Sequence, residues 1–296
     1  MTEQSKAYLF AGLSVLLWST VATVFKLALR ELSFIQLLFY SSIFSAIALF
    51  IYLLASGKIR LLKETTPKDL IKSATFGLLN PFIYYLVLFK AYSLLPAQIA
   101  QPLNYTWAIL LSLLSVPLLK QKLHPVSLIG LLVSFAGVVV IAMRGSFASL
   151  EMVNLTGCLL ALGSALFWAL FWIFNLRDRR QPAVKLFLNF AFGAIYISIL
   201  TVFCKELRLP SPFTLGTTVY IGLFEMGLTF LFWLLAMQYS RESASIANLI
   251  YLSPFLSLVF IHFILGEEIL WSSAFGLALI VAGILLPKLN LRRGRR

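Results

Sequence analysis

The fold of this chain is decided by residues 97–119, AQIAQPLNYTWAILLSLLSVPLL. As an α-helix this stretch spans about 34 Å, which is enough to cross the hydrocarbon core of a bilayer. Its first half nevertheless carries hydrogen-bonding side chains, namely Gln98, Gln101, Asn104, Tyr105, Thr106 and Trp107. Such groups are costly at membrane depth unless they meet a partner, a cavity or a ligand. Gln98, Gln101 and Tyr105 share one helix face, so we expect that face to line a central cavity.

The composition restricts the class of protein. Of the 296 residues, 60% are hydrophobic and 12% are charged, and the mean hydropathy is +0.94. A chain this long and this apolar is typical of an all-α polytopic membrane protein and not of a soluble domain. In a soluble protein the net charge of +13 would indicate a nucleic-acid partner. Here the positive residues lie mostly in loops and in the last residues, so we predict no nucleic-acid binding.

Hydropathy predicts ten transmembrane helices. They cover residues 7–29, 33–55, 69–91, 97–119, 125–143, 155–176, 184–204, 214–237, 244–265 and 270–287. We interpret the first as a spanning helix and not a signal peptide, because it lacks a short apolar region followed by a small-residue cleavage site. The connections are short, which leaves no room for a soluble catalytic domain.

Lys and Arg residues predict the orientation. With the N-terminus in the cytoplasm, four of the 24 Lys and Arg residues lie in outer loops, namely Arg30, Arg144, Lys205 and Arg208, and two lie within spans, namely Lys26 and Lys90. The other positive residues all lie in cytoplasmic segments. Because cytoplasmic loops are enriched in positive charge, we expect both termini in the cytoplasm and an even number of spans.

The two halves of the chain are related in sequence. SLIGLLVSFAG at 127–137 and SAFGLALIVAG at 273–283 share five of eleven residues, including both glycines. Other pairs at similar offsets are Trp18 with Trp168, Gly77 with Gly222, and Ala91 with Ala236. Such self-similarity indicates an internal duplication.

The duplication predicts an inverted repeat. Five spans are followed by five related spans, and since five is odd the second set enters the membrane in the opposite sense. We therefore predict two five-helix repeats, residues 1–148 and 149–287, around a central cavity. Residues 288–296 are predicted to form a basic cytoplasmic tail.

The repeat of the opening stretch is residues 244–265, in which Ser245, Asn248 and Tyr251 correspond to Gln98, Gln101 and Asn104. Both halves thus place polar or aromatic groups at one depth. We expect Gln98, Gln101, Asn104, Tyr105, Trp107, Asn248 and Tyr251 to bind a substrate in the cavity. The alternative is that these side chains only form hydrogen bonds between helices, which employ the same residue types.

Asn80 and Glu225 form another repeat-related pair, each near the centre of its span. A carboxylate at that depth is a candidate functional group, either for a proton or for a cationic group of a substrate. The alternative is a structural hydrogen bond to a neighbouring helix.

Central aromatic residues suggest the walls of the cavity. Trp residues usually lie at membrane interfaces, so Trp18 and Trp168 near the middle of their spans indicate a packed core or an aromatic site. Tyr84 and Tyr85 follow Asn80 by one to two turns and could extend this wall.

Several chemistries are not indicated. There is no GxxxxGK[ST] for nucleotide binding and no HExxH, and the two histidines lie in different halves without a nearby thiolate cluster. We therefore expect no cofactor, no metal and no catalytic residue.

Longer motifs resemble a known family. LLWSTVATVFK in the first span and SIANLIYLSPFLSLVFIHFILGEEIL near the end resemble the EamA-type repeats of the drug/metabolite transporter superfamily. The first half departs from this pattern, because Trp107 stands where the second repeat has Pro254. Asn104–Trp107, NYTW, is also similar to the NYxW segment of aromatic amino-acid exporters of YddG type, although Ala108 replaces the following proline.

The resemblance implies a secondary transporter and not an enzyme. We expect export of small metabolites, with amino acids or related compounds as substrates, by alternating access in a bacterial inner membrane. A membrane-embedded lipid-modifying enzyme and an accessory membrane subunit are the alternatives. The expected partners are a small-molecule substrate and membrane lipid, and both a monomer and a dimer remain open.

Overall fold

The computed structural model describes residues 2–120, 125–143, 154–240, 246 and 249–293, and the regular elements in these ranges are all helical. The α-helices are α1 (Glu3–Ala28), α2 (Phe34–Ala55), α3 (Pro67–Gly77), α4 (Tyr84–Leu94), α5 (Ala97–Asn104), α6 (Trp107–Leu119), α7 (Pro125–Ala142), α8 (Leu155–Arg177), α9 (Pro182–Phe203), α10 (Pro212–Tyr220), α11 (Leu228–Tyr239), α12 (Ser253–Phe260) and α13 (Trp271–Arg293). Short 3₁₀ or π segments connect or extend several of them: Lys58–Glu64, Leu78–Ile83, Ile221–Glu225, Leu249–Leu252 and Ile261–Leu265.

Seven helical stretches of the described chain are long and apolar enough to cross a membrane. They are Glu3–Ala28, Phe34–Ala55, Pro67–Leu94, Ala97–Leu118, Leu155–Asn175, Pro182–Phe203 and Pro212–Tyr239. Shorter apolar helices, Ile129–Ile141, Leu249–Leu265 and Trp271–Leu286, lie where the other three spans are expected. A polytopic helical fold is thus established, whereas the ten-helix inverted repeat stays a prediction.

Consecutive helices run between two ends of one bundle. At the first, which we call the Glu31 end, the α1–α2 loop contacts the start of α10, and the start of α5 contacts the loop before α13. At the second, which we call the Arg180 end, the α8–α9 loop contacts the start of α3. The core between these ends is lined by buried Phe, Tyr, Leu and Ile side chains.

Gly77 lets α3 approach α9 closely. A Cβ atom at this position would collide with the Asn189 carbonyl oxygen and would lie 3.1 Å from both the backbone nitrogen of Gly193 and the Cβ of Phe192. Only a residue without a side chain fits there. Directly after Gly77 the helix widens into the π segment Leu78–Ile83.

Gly222 makes the corresponding contact between the second half and α2. A Cβ atom there would lie 2.7 Å from the Ser41 carbonyl oxygen, 2.7 Å from the Cβ of Phe44 and 2.9 Å from the Ser45 nitrogen. The three contacted positions have the same spacing along α2 as their counterparts along α9. Gly222 also lies in a π segment, Ile221–Glu225. One helix–helix contact therefore occurs twice in the described chain, through residues that the sequence comparison pairs.

A second glycine-mediated contact joins α7 and α13. A Cβ atom at Gly137 would lie 2.5 Å from the Gly276 carbonyl oxygen, and one at Gly276 would lie 2.7 Å from the Gly137 carbonyl oxygen. The hydroxyl of Ser134 donates a 3.0 Å hydrogen bond to the carbonyl of Ile280. Small residues of this kind let membrane helices pack through their backbones.

A carboxylate fixes the start of α10 at the Glu31 end. Glu31 accepts hydrogen bonds from the Ser211 backbone nitrogen and hydroxyl, both 2.6 Å, and from the Thr214 hydroxyl. These bonds lower the pKa of the exposed Glu31 carboxyl from its usual 4.5 to about 2. A negative group at a helix N-terminus also interacts favourably with the helix dipole.

Arg180 fixes the start of α3 at the opposite end. Its guanidinium donates to the Asp69 carbonyl at 3.0 Å and to the Ser73 hydroxyl at 2.9 Å, and it pairs with the buried carboxylate of Asp178 at 2.6 Å. Burial works against ionisation of Asp178, but the hydrogen bonds and charge of Arg180 outweigh it and lower the pKa of this carboxyl.

The glycine contact of α2 predicts the effect of an added methyl group. We expect Gly222→Ala to lower the free energy of unfolding by about 1–3 kcal/mol, because the new Cβ overpacks a backbone contact. Gly216→Ala is the matched control in α10, where a Cβ meets open space. Thermal denaturation of the purified protein in detergent is the measurement. Equal melting temperatures for the two variants would contradict the close contact.

The Glu31 contact predicts a pH-dependent contribution to stability. Because the folded-state pKa lies below the ordinary value, the contribution is fully present above about pH 4.5 and is lost as the pH falls towards 2. We expect Glu31→Gln to lower the melting temperature at neutral pH, and the difference from the parent protein to shrink below about pH 4.5. Glu64→Gln, at an exposed carboxylate, is the control. A difference that does not change with pH would refute this role.

Candidate functional site

Glu225 lies at an interruption of the helix that runs from α10 to α11. The π segment Ile221–Glu225 ends in a turn at Met226 and Gly227, and the backbone of Gly227 is non-helical with φ −128° and ψ −98°. The Glu225 side chain is 8% exposed. The hydroxyl of the fully buried Tyr85 donates a 3.0 Å hydrogen bond to its Oε1. The structure thus places a carboxylate inside the bundle, bonded to a residue from the other half.

A chain of aromatic rings in contact with one another starts at Tyr85. The Tyr84 ring centroid lies 4.6 Å from that of Tyr85 and 4.6 Å from that of Trp168. Phe230 lies 5.7 Å from Trp168 and 5.7 Å from Trp18. We call Glu225, Tyr85, Tyr84, Trp168, Phe230 and Trp18 the central cluster. It joins α1, α4, α8, α11 and the π segment Ile221–Glu225. It brings together five residues that the sequence singles out for a site or its walls: Glu225, Tyr84, Tyr85, Trp168 and Trp18.

Sequence reasoning missed two members of this aromatic environment. Phe230 follows Glu225 by five residues, after the turn at Met226 and Gly227, and its ring contacts those of Trp168 and Trp18. Trp172 lies one helical turn after Trp168, 5.9 Å away, and 6.3 Å from Phe230. The four-residue spacing of the two tryptophans was the available signal, because it places them on one helix face.

Asn104 connects α5 to the central cluster. Its Nδ2 donates a 2.9 Å hydrogen bond to the Ser164 hydroxyl on α8, and its Oδ1 accepts a 3.4 Å hydrogen bond from the Tyr84 hydroxyl. The regular helix ends at Asn104 and resumes at Trp107, with Tyr105 in the turn between them. Tyr105 and Trp107 are both half-buried.

Gln101 is buried, and its Oε1 has no hydrogen-bond partner among the described residues. Tyr251 is buried in the 3₁₀ segment Leu249–Leu252, at the position that corresponds to Asn104 in the first repeat. Asn248 lies outside the described residues. Roles in substrate binding for these residues stay predictions.

The side-chain amide of Gln98 is hydrogen-bonded to the loop before α13 and the start of α13, at the Glu31 end. Its Nε2 donates a 2.7 Å hydrogen bond to the Glu268 carbonyl, while its Oε1 accepts from the Leu270 nitrogen at 2.9 Å and the Ser273 hydroxyl at 3.1 Å. The amide therefore links α5 to the segment that leads into α13. Its role in substrate binding also stays a prediction.

Glu267 caps α5 from the same segment. Its carboxylate accepts hydrogen bonds from the backbone nitrogens of Ala97 at 2.9 Å and Gln98 at 3.3 Å. These two donors belong to the first turn of α5 and have no partner within the helix. Together, Glu267 and Gln98 hold the start of α5 against the loop before α13, and we call this arrangement the α5 clamp.

The α4–α5 corner is also held from α1. The Lys26 ammonium donates to the carbonyl oxygens of Tyr92 and Leu95, both at 3.0 Å. Beside it is an open pocket of about 160 Å³, lined by Lys26, Leu29, Arg30, Ser93, Leu265 and Glu267. This pocket lies at the Glu31 end and does not include the central cluster.

Asn80 occupies the local structure that corresponds to that of Glu225. It lies in the π segment Leu78–Ile83 with non-helical φ −149° and ψ 120°, next to Pro81. The side chain is fully buried, and neither its Oδ1 nor its Nδ2 has a hydrogen-bond partner among the described residues. The segment packs against α9. The structure therefore places the sequence pair in equivalent segments but in different surroundings.

The chemistry of the central cluster suits binding. It offers one carboxylate, tyrosine hydroxyls and several aromatic faces, and the described residues hold no group of three His, Cys, Asp or Glu side chains that could bind a metal ion. An aromatic face attracts a cation, and a cation stabilises a buried carboxylate.

Comparison with known proteins identifies the class. The model of the EamA-like transporter family matches residues 5–143 and 155–287. An uncharacterized transporter of Archaeoglobus fulgidus is 23% identical over 95% of this chain and 97% of its own length. The uncharacterized transporter YvbV of Bacillus subtilis is 28% identical over 76% of this chain and 72% of its own length. The aromatic amino acid exporter YddG of Ancylobacter novellus is 26% identical over 98% of this chain and 100% of its own.

A solved crystal structure has the same fold. It superimposes with a TM-score of 0.69 over 99% of this chain and 99% of that chain, at 23% identity. This likeness extends over the whole length and supports the helical arrangement described above.

The α5 clamp predicts a specific loss of stability. We expect Glu267→Ala to lower the free energy of unfolding by about 1–2 kcal/mol, because two backbone donors at the start of α5 lose a charged acceptor. Glu268→Ala is the matched control, since its side chain is exposed and only its backbone carbonyl is bonded to Gln98. The measurement is thermal denaturation in detergent. A Glu268→Ala variant that is as destabilised as Glu267→Ala would contradict the clamp.

Proposed function

This chain belongs to the EamA-like transporter family, and we propose that it is a secondary transporter that exports small organic metabolites, amino acids or related compounds, by alternating access. The central cluster carries the proposal, because a buried carboxylate among aromatic rings suits an amphipathic ligand. The relative named as an aromatic amino acid exporter, which is matched over 98% of this chain, supports the substrate class.

Ten helices in two inverted five-helix repeats form the proposed architecture. Support comes from the contacts of Gly77 and Gly222, which have the same spacing on α9 and α2, and from the π segment at each glycine. In inverted-repeat transporters, substrate sites lie near the membrane midplane where the repeats meet. The Tyr85–Glu225 hydrogen bond joins the two predicted repeats and suits such a site.

The proposed location is the bacterial inner membrane, with both termini in the cytoplasm. The Glu31 end then faces outwards and the Arg180 end faces inwards. The bias of Lys and Arg towards the loops of the Arg180 end supports this orientation.

The proposed substrate site combines the central cluster with the face of α5. Glu225 contacts a polar or cationic group, and Trp18, Tyr84 and Trp168 enclose an apolar body. The wall is completed by further residues of the predicted site, namely Gln101, Asn104, Tyr105, Trp107, Asn248 and Tyr251. Gln98 contributes indirectly, because its hydrogen bonds in the α5 clamp hold the start of α5 in place. Interruptions of α5–α6 at Tyr105 and of α10–α11 at Gly227 give these helices points at which they could bend.

A transporter is favoured over an enzyme or an accessory subunit. The relatives are named transporters, and the central cluster pairs its carboxylate with a phenol and not with a nucleophile or a metal site. We also propose a small-molecule substrate and membrane lipid as the partners, and we leave both a monomer and a dimer open. The purified protein can be used to test each of these points.

Counterflow in proteoliposomes tests the function. We expect saturable exchange of at least one member of a panel of aromatic amino acids and their amine derivatives. Trp168→Ala is expected to reduce this exchange about tenfold, because a buried aromatic wall contributes on the order of 1–2 kcal/mol. Trp271→Ala is the matched control, since that ring is 64% exposed on the surface of the bundle. No exchange of any panel member by folded protein would overturn the proposal for these substrates.

A further inference from the structure

The central cluster is unbalanced in charge. Tyr85 donates a hydrogen bond to Glu225, and the ion pairs found among the described residues do not include Glu225. The buried Lys185 and the half-buried Lys26 are engaged elsewhere. Lys26 donates to the carbonyls of Tyr92 and Leu95, and Lys185 donates to the carbonyls of Asn175 and Asp178. Within the described part of the chain, the site therefore presents one potential negative charge without an ion-pair partner.

The aromatic walls of the cluster, like the Glu225 carboxylate, favour a positively charged ligand. Tyr84, Trp168, Phe230 and Trp18 follow one another with ring centroids 4.6–5.7 Å apart. The faces of such rings carry negative electrostatic potential and attract ammonium groups, most strongly where water is excluded. The described Lys side chains that lie over aromatic rings contact Tyr239, Tyr52 and Phe34, all outside the cluster. No described Lys side chain therefore lies over a ring of the cluster.

A zwitterion fits this chemistry poorly. An amino acid that places its ammonium beside Glu225 brings its own carboxylate to within a few bond lengths. That carboxylate would meet aromatic faces and a like charge, both of which are unfavourable. On α5, the Asn104 amide already donates one hydrogen bond to Ser164. An amine, an ester or an amide of the same side chain lacks this carboxylate and avoids the penalty.

From these contacts we infer that the site selects organic monocations: amines whose ammonium group lies against Glu225 and whose aromatic or apolar body lies among Trp18, Tyr84, Trp168 and Phe230, in preference to zwitterionic amino acids. The inference rests on the proposed function and narrows its substrate class. It assigns to Glu225 a direct contact with the ligand cation.

Binding to purified protein tests the selection without transport. The probes are tryptophan and tryptamine, phenylalanine and phenylalaninamide, and benzyltrimethylammonium, which carries a permanent charge. We expect each cation to bind at least about tenfold more tightly than its amino acid, by calorimetry and by quenching of tryptophan fluorescence. Equal or tighter binding of the amino acids to the parent protein would overturn the inference, and this comparison needs no variant.

Variants at the carboxylate test the contact. Glu225→Gln is expected to remove the preference for cations, and Glu225→Asp to retain part of it, while the exposed Glu268→Gln is expected to bind as the parent does. If Glu225→Gln keeps the full preference, the assignment of Glu225 is wrong. If it does not fold, Glu225→Asp serves instead, and unchanged binding of benzyltrimethylammonium by that folded variant counts against the contact.

The outcomes separate the two proposals. Exchange of amino acids in proteoliposomes, without preferential binding of cations, would leave the transporter standing and refute the amine selection. Binding of cations by Glu225 without exchange of any panel member would refute transport of these compounds. Benzyltrimethylammonium is the probe for exchange because, unlike a primary amine, it has no neutral form that crosses the bilayer by itself.

Discussion

Polar groups inside an apolar bundle must find partners within the chain or in a ligand, and this constraint organises the whole molecule. In a membrane, water cannot satisfy them. The Asn104 amide is satisfied by hydrogen bonds with both Ser164 and Tyr84. The Glu225 carboxyl is satisfied only in part, by the hydroxyl of Tyr85. One hydrogen bond leaves most of the acceptor capacity of a carboxylate unused. Asn80 and Gln101 are also buried with polar atoms that have no partner among the described residues, but the unused capacity of Glu225 lies next to the aromatic rings of Tyr85 and Tyr84.

The interruptions of the helices follow from the same constraint combined with close packing. Gly77 and Gly222 bring α3 against α9 and the segment after α10 against α2, closer than any side chain would permit. Each glycine precedes or lies within a π segment, which turns a polar residue inwards three positions later: Asn80 in one case and Glu225 in the other. A widened turn of this kind is common at functional sites. The same two short segments therefore provide both the close helix contacts and the buried polar side chains.

Much of this could be predicted from the sequence. Long apolar stretches indicated the helices, and fixed offsets paired Gly77 with Gly222 and Asn80 with Glu225, which lie in equivalent segments of the structure. The engagement of Gln98 was not predictable, because its partners lie about 170 residues away and are mostly backbone atoms. A helical-face argument treats a polar side chain as directed towards a cavity. It cannot detect a loop that reaches back to bond with it.

The remaining asymmetry concerns the two residues that the repeat pairs. Both halves have a widened segment and a close helix contact, as the predicted duplication would give, yet one half carries a neutral amide and the other a carboxylate. Asn80 packs towards α9, whereas Glu225 bonds to Tyr85 of the opposite half. The only ionisable carboxyl of the central cluster thus lies where the halves meet, and any relative motion of the halves changes its separation from Tyr85. A cation bound between them would compensate the carboxylate when this hydrogen bond weakens, so ligand binding and relative motion of the halves would be coupled through a single charge.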